Sequence, residues 1–277
     1  MIITLRLKYI VLFVLVLGVL LTTIAFVFAK DNEVVVPIIM YHSILKDASS
    51  SGKFVITPTE LEQDLIYLKE QGYTAIFMEE LINFVKKGER LPEKPVILTF
   101  DDGCYNNYVY GYPLVKKYNM KMVMSVVGSY AERYSETQEE NANYSYLTWE
   151  RIKELKDSGY AEIQNHSFDM HTITAKRNGS KKNRGESKEH YKKVFMEDTL
   201  KNQILLKEKA GVTATTYTYP FGGISDDSEE LLEIMGFSAS LSCGEGMNYI
   251  KEGDSLYQLK RYNRKHGQGV SKILNRQ

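Results

Sequence analysis

The chain has 277 residues, 35 Lys plus Arg against 35 Asp plus Glu, and 43% hydrophobic content. That length holds one large domain or two small ones, with the composition of an ordinary globular protein. The zero net charge excludes the basic excess that nucleic-acid binding leaves, so no nucleic-acid partner is expected.

The first element follows Arg6 and Lys8. From Tyr9 to Ala29 the run YIVLFVLVLGVLLTTIAFVFA carries no charge. It is long enough to cross a hydrocarbon core of ~30 Å at about 1.5 Å per residue. The basic residues before it place 1–8 in the cytoplasm, 9–29 as a transmembrane anchor and 30–277 outside. A signal peptide cleaved after Val27-Phe28-Ala29 is the alternative, although the run exceeds the ~7–15 residues of a usual signal core. The body is thus expected at the cell membrane, single-pass and extracytoplasmic, or secreted if the segment is cleaved. Cys104 and Cys243 then lie where disulfides are permitted, and either a bridge or two separate thiols fits.

Beyond this segment strand and helix patterns alternate. EVVVPIIMYHSI reads as a β-branched strand. Thr57-Pro58-Thr59-Glu60 opens a helix with an N-cap, a proline at the first helical position and a capping box, and Gly72 ends it. TAIF is a short strand and MEELINFVKK a helix ending at Gly88. PVILTF is an apolar strand running into Asp101-Asp102-Gly103. NNYVYGYPLVKKY reads as helix despite Gly111 and Pro113, and MKMVMSVVG as a buried strand. TWERIKELKDSG is a helix, and AEIQN a strand leading to His166. Lys176 to Lys193 is basic and glycine-punctuated, an exposed loop that could alternatively hold an anionic polymer. VFMEDTLKNQILLKEKAG is an amphipathic helix. TTYTY and SASLS are strands around the helix SDDSEELLEIMG, and LYQLKRYN is the last strand. This alternation predicts an α/β fold with a largely parallel sheet, open or closed into a barrel.

In such sheets working residues gather at the carboxyl ends of strands. His42, the Asp101-Asp102 pair and His166 all fall there. Adjacent carboxylates repel, and a divalent cation relieves the conflict. Zinc accepts imidazole nitrogen and carboxylate oxygen, and catalytic sites keep three protein ligands. Asp102, His166 and His171 make such a set, leaving Asp101 as a base. In QNHSFDMH the two histidines are five apart, which diverges on a helix and alternates faces on a strand. They converge only if the strand ends at His166 and the chain turns through Phe168-Asp169-Met170.

TFDDG (Thr99 to Gly103), the NHS of Asn165 to Ser167 and YPFGG (Tyr219 to Gly223) resemble motifs of the polysaccharide deacetylase family, which carries the NodB homology domain. LTWERIKELKDSGYAEIQNHS resembles the segment leading into that family's histidine motif, and the likeness spans about Val34 to Asn263. It implies a distorted (β/α) barrel with fewer than eight strands. The implied class is a hydrolase of carbon–nitrogen bonds other than peptide bonds. The commoner family pattern puts its second histidine where Met170 stands and an arginine where Thr218 stands. Its C-terminal Leu-x-His is replaced by Leu259-Lys260-Arg261. The branch of poly-N-acetylglucosamine deacetylases is more similar: it spaces its metal histidines five apart, lacks that arginine and has an early Tyr-His, matched by Tyr41-His42.

The resemblance implies Asp101 as general base, His42 as general acid and the backbone N–H of Phe221 as an oxyanion contact. Asp102, His166 and His171 would hold the metal, zinc or another first-row divalent ion. Arg261 is expected to orient Asp101 in place of the missing arginine. His190 and His266 match nothing. The substrate class implied is an N-acetylglucosamine polymer or oligomer: peptidoglycan, poly-N-acetylglucosamine or chitin oligomers. An O-acetyl polysaccharide esterase and an inactive glycan-binding relative are the alternatives.

Overall fold

A computed structural model describes residues 13, 15–17, 33–47, 52–175 and 177–275. The chain divides into two units, Met1–Val34 and Val35–Gln277. In the first, Phe13 and Leu15, Val16 and Leu17 are helical. The expected anchor, 9–29, otherwise lies outside the described residues; among those described, no helix is long and apolar enough to cross a membrane.

The second unit alternates strand and helix as the sequence predicts, with local departures. The first strand splits into β1 (Val34–Val36) and β2 (Ile38–Tyr41), because Pro37 between them has no N–H to give a ladder. Helix α1 (Pro58–Glu70) has its capping box in place: Thr57 Oγ1 accepts from Glu60 N at 3.2 Å, and Glu60 Oε2 accepts from Thr57 N at 2.9 Å. Then come β3 (Thr74–Ala75), α2 (Met78–Lys87) and β4 (Pro95–Phe100). The expected helix after Asp102 opens as a π-helical turn, Asn107–Gly111, before α3 (Tyr112–Lys117). Pro113 has no N–H to donate, and Tyr112 N bonds back to Asn107 O, one residue further than an α-helix reaches.

β5 (Met122–Val126) leads into α4 (Gly128–Thr137), a helix the pattern reading passed over. α5 (Trp149–Asp157) and β6 (Ala161–Asn165) follow. α6 (Lys188–Ala210) begins earlier than expected, inside the basic stretch read as loop. Ser187 caps it by accepting from His190 N at 3.1 Å, which lets a lysine-rich turn stay helical. β7 (Thr216–Thr218), α7 (Ser228–Ile234), β8 (Ala239–Leu241), β9 (Asn248–Ile250), β10 (Tyr262–Asn263) and α8 (Val270–Leu274) complete the unit.

Seven parallel strands lie side by side in the order β10-β2-β4-β5-β6-β7-β8, with β3 added to β4 off that path. The expected last strand, LYQLKRYN, serves two edges and is regular at neither. Leu259 bridges Leu241 of β8, and Tyr262 and Asn263 pair with Ile39 and Met40 of β2. The result is an incomplete barrel whose two edges are joined by one segment, with Arg261 at its middle.

Alternation along the strands sorts the residues by face. Ile39 and Tyr41, Leu98 and Phe100, Met122 and Met124 pack outward into the core under the helices. The opposite face carries Thr99 on β4 with Asp101 just past its end, Ser125 on β5, Gln164 on β6 with His166 just past its end, and Thr218 on β7, all buried. These polar groups bond across the interior, as in Ser125 Oγ to Thr218 Oγ1 at 2.7 Å. A period of two therefore points Asp101 and His166 into one space at the carboxyl ends of their strands.

Candidate active site

Three turns bring the polar residues together, and each contains a non-glycine residue with left-handed backbone: Asp102 (φ 69°), Ser167 (φ 70°) and Phe221 (φ 54°). Such conformations cost roughly 1–3 kcal/mol each and persist where surrounding structure holds them. Gly103, also left-handed at φ 74°, lets the chain leave Asp102 against β5; a Cβ there would lie 3.1 Å from Val126 Cγ1.

Asp102, His166 and His171 offer ligand atoms that all lie within 4.8 Å of one another. Asp102 Oδ1 is 3.3 Å from His166 Nε2 and 3.0 Å from His171 Nε2. The tautomer of His166 is set from outside the cluster. Its Nδ1 is 2.8 Å from the carbonyl of Thr218, which can only accept, so Nδ1 carries the proton and a neutral ring turns the Nε2 lone pair inward. His171 Nδ1 lies 3.4 Å from Tyr130 Oη, while the Tyr130 hydroxyl donates to the His171 carbonyl at 3.2 Å. Apart from these two nitrogens, buried Asp102 Oδ1 has no partner among the described residues. Lone pairs converging on an orphaned carboxylate oxygen fit a divalent cation, and two nitrogens with one oxygen suit zinc or another first-row metal. Burial opposes ionisation of Asp102, but the neighbouring imidazoles in their protonated form outweigh it and hold the carboxyl well below the usual range.

Asp101 faces the other way. Its Oδ1 accepts from Arg261 Nη1 at 2.8 Å, and its backbone N–H bonds Tyr41 O at 3.0 Å. Arg261 is fully buried, and also donates to Thr99 Oγ1 at 3.1 Å and to Ser242 O at 2.8 Å. Burial pushes Asp101 up, yet the Arg261 guanidinium, with His166 and His42, brings it below the usual carboxylate range. His42 sits just past β2, near enough for its charge to act on both aspartates, with a buried Nδ1 that has no partner among the described residues.

Phe221 covers the third side. Its ring lies 4.3 Å from that of His171 and remains 43% exposed. The turn beneath it is clamped by the chain after His171. A Cβ on Gly179 would come 2.1 Å from Pro220 O, and Ser180 Oγ donates to Gly223 O at 3.0 Å. Tyr130 and Tyr146, with ring centroids 4.3 Å apart, wall the side facing His171.

The residues that depart from the commoner family pattern have other contacts. Met170 is buried in the apolar core. Thr218 contributes its carbonyl to His166, while the guanidinium at Asp101 comes from Arg261, far along the chain. Cys104 and Cys243 are both free thiols. His190 pairs with Glu186 and His266 with Glu60, each at 2.8 Å in polar contacts away from the triad. Sequence reading missed Tyr130, Tyr146, Asp198 and Asn202, which act from other elements and carry no local motif.

Residues 88–240, more than half of the chain, match the family model described as polysaccharide deacetylase. The chain belongs to the polysaccharide deacetylase family. It is 24% identical over 236 residues to the poly-beta-1,6-N-acetyl-D-glucosamine N-deacetylase of Escherichia coli K12, covering 79% of this chain and 35% of that one. The chain thus spans about a third of that relative's length. Among solved structures it resembles the de-N-acetylase from Aggregatibacter actinomycetemcomitans, with TM-score 0.73, 25% identity, and 87% and 99% of the two chains covered. IcaB from Ammonifex degensii gives TM-score 0.68 and 25% identity over 82% and 91% of the chains.

Proposed function

We propose that this protein is a metal-dependent de-N-acetylase that hydrolyses acetamide groups of an N-acetylglucosamine polymer and releases acetate. The observation that carries the reading is the division of labour between adjacent aspartates. Asp102 turns to two imidazole lone pairs, while Asp101 is held ionised by Arg261. Relatives named for action on poly-N-acetylglucosamine support the substrate class.

A divalent ion held by Asp102, His166 and His171 would supply a water of lowered pKa and a Lewis acid beside the acetamide carbonyl. Asp101 takes the proton of the attacking water, its orientation fixed by Arg261 and by its own N–H bond to Tyr41. The Phe221 backbone N–H, presented by the clamped Pro220–Gly223 turn, steadies the oxyanion. His42 delivers a proton to the leaving amine. An amide needs this proton more than an ester does, because an amine anion is a very poor leaving group. The Phe221 ring and the Tyr130–Tyr146 wall bound the space left for the sugar.

The segment 9–29 makes the protein, in this proposal, an anchored or secreted enzyme working outside the cytoplasm. Acetate release is the direct test. Oligomers of β-1,6- and β-1,4-linked N-acetylglucosamine, peptidoglycan and acetylated xylan are compared, with and without chelator. Chelator-sensitive release from an N-acetylglucosamine oligomer is expected. Release from acetylated xylan alone would assign an esterase, and none from any substrate would assign a glycan-binding relative.

A further inference from the structure

We infer that Asp198 and Asn202 of α6 are positioning residues that fold the turn between His166 and His171 and so set the affinity of the metal site, although neither belongs to the ligand cluster. The inference rests on the metal-binding part of the proposed function. The five-residue spacing of the histidines needs a non-regular link, and Ser167 within it is left-handed at φ 70°. Something outside the turn must hold that conformation.

Two elements hold it: the first amides of α4, which donate from Gly128 N to Ser167 O at 3.1 Å and from Ser129 N to Phe168 O at 2.8 Å, and one face of α6, which supplies the side chains. Residues four apart on a helix lie one above the other, and here they read consecutive backbone groups of the turn. Asp198 Oδ1 accepts from Phe168 N and Oδ2 from Asp169 N, each at 2.8 Å. Asn202 Nδ2 approaches Ser167 O at 2.9 Å, Asn165 Oδ1 at 3.0 Å and Val126 O at 3.1 Å. Asn165 Oδ1 in turn accepts from Ser167 N at 2.9 Å. The acceptor of the helix therefore meets two amides and its donor meets a carbonyl, so the chain can turn only one way. Asn202 is fully buried and fits because residue 128 is glycine: a Cβ there would fall 2.5 Å from Asn202 Oδ1. Residues that orient metal ligands without touching the metal typically change metal affinity about 10–100-fold when lost.

Asp198→Asn replaces one carboxylate oxygen with a donor facing a donor, and Asn202→Asp sets an acceptor against Ser167 O. Asp198→Glu keeps two acceptors. Full-length wild-type and variant proteins are titrated with zinc against a competing chromophoric chelator. Amide hydrogen exchange is followed on peptides spanning Ser167–Met170. Asp198→Asn is expected to weaken zinc about 10–100-fold and to speed exchange in those peptides, with Asp198→Glu recovering part of both. Asn202→Asp is expected to weaken zinc in the same range. Folded Asp198→Asn with wild-type exchange and wild-type zinc affinity would overturn the inference. A wild-type protein that releases no acetate, but whose zinc affinity still falls in Asp198→Asn, would refute the substrate reading and leave this one intact. If the wild type takes up no zinc, exchange alone decides the turn's dependence on Asp198, and the loss of affinity control is refuted.

Discussion

Arg261 and Asp101 form an ion pair of 2.8 Å in which the two side chains are 0% and 3% exposed. The guanidinium arrives from the segment that joins the two sheet edges, so the same segment closes the barrel and orients Asp101, the proposed base. Breaking a buried pair by removing one partner costs about 3–5 kcal/mol. Arg261→Met is therefore expected to lower stability by that order in denaturant unfolding. Arg261→Lys keeps the charge but loses the planar fork, and should fold while kcat falls about tenfold or more. Wild-type kcat in a folded Arg261→Lys protein would show that orientation by the fork is unnecessary.

His42 tests the assignment of the acid. His42→Ala should leave zinc stoichiometry unchanged and reduce turnover of an N-acetyl substrate by about 10²–10⁴-fold, the range general acid catalysis supplies. An activated acetate ester, whose leaving group needs no proton, should suffer much less. Equal losses on amide and ester would remove the acid role.

Met170 stands where the commoner family spacing puts a histidine, and it is buried in the apolar core. Moving the proposed ligand His171 there should fail for geometric reasons. The double substitution Met170→His with His171→Ala is expected to bind zinc no better than His171→Ala alone. Restored binding would mean that the turn can slide by one residue.

Glu162, near the start of β6, gives a pH dependence outside the proposed metal ligands. Burial raises its carboxyl to about 7, against the lowering pull of hydrogen bonds from Met78 N and Glu79 N at the start of α2. A pKa raised on folding means the native state holds a proton that the unfolded state has released. Its contribution is present below the unfolded value near 4.5 and is lost as pH rises through about 7. Glu162→Gln should match wild type in thermal unfolding at pH 4 and exceed it at pH 8. A constant difference at the two pH values would refute this.

Much of the site could be read from the sequence because it follows from local rules. A strand running into Asp-Asp-Gly marks a carboxylate pair at its carboxyl end, and the histidine spacing requires a turn. The alternating sheet and the capping box at Thr57 came from period and cap chemistry. What the sequence left open depends on long-range fit. Arg261 is expected at Asp101 only as a replacement for the arginine missing at Thr218; nothing in its local sequence shows the reach that the 2.8 Å ion pair has. Nothing in VFMEDTLKN shows that one helix face reads the backbone of the turn between His166 and His171. The basic stretch looked like loop because its charge conceals the N-cap at Ser187. The strand LYQLKRYN looked regular because pattern shows burial, and cannot show one segment divided between two edges.

The central claim is that Asp102, His166 and His171 bind a catalytic metal for removal of N-acetyl groups. Its most direct test is metal content and acetate release measured on the same samples of wild type and Asp102→Ala, with N-acetylglucosamine oligomers as substrate. The account expects about one zinc-class ion per wild-type chain, and loss of metal and acetate release together in the variant. Undiminished acetate release from Asp102→Ala freed of metal would contradict it.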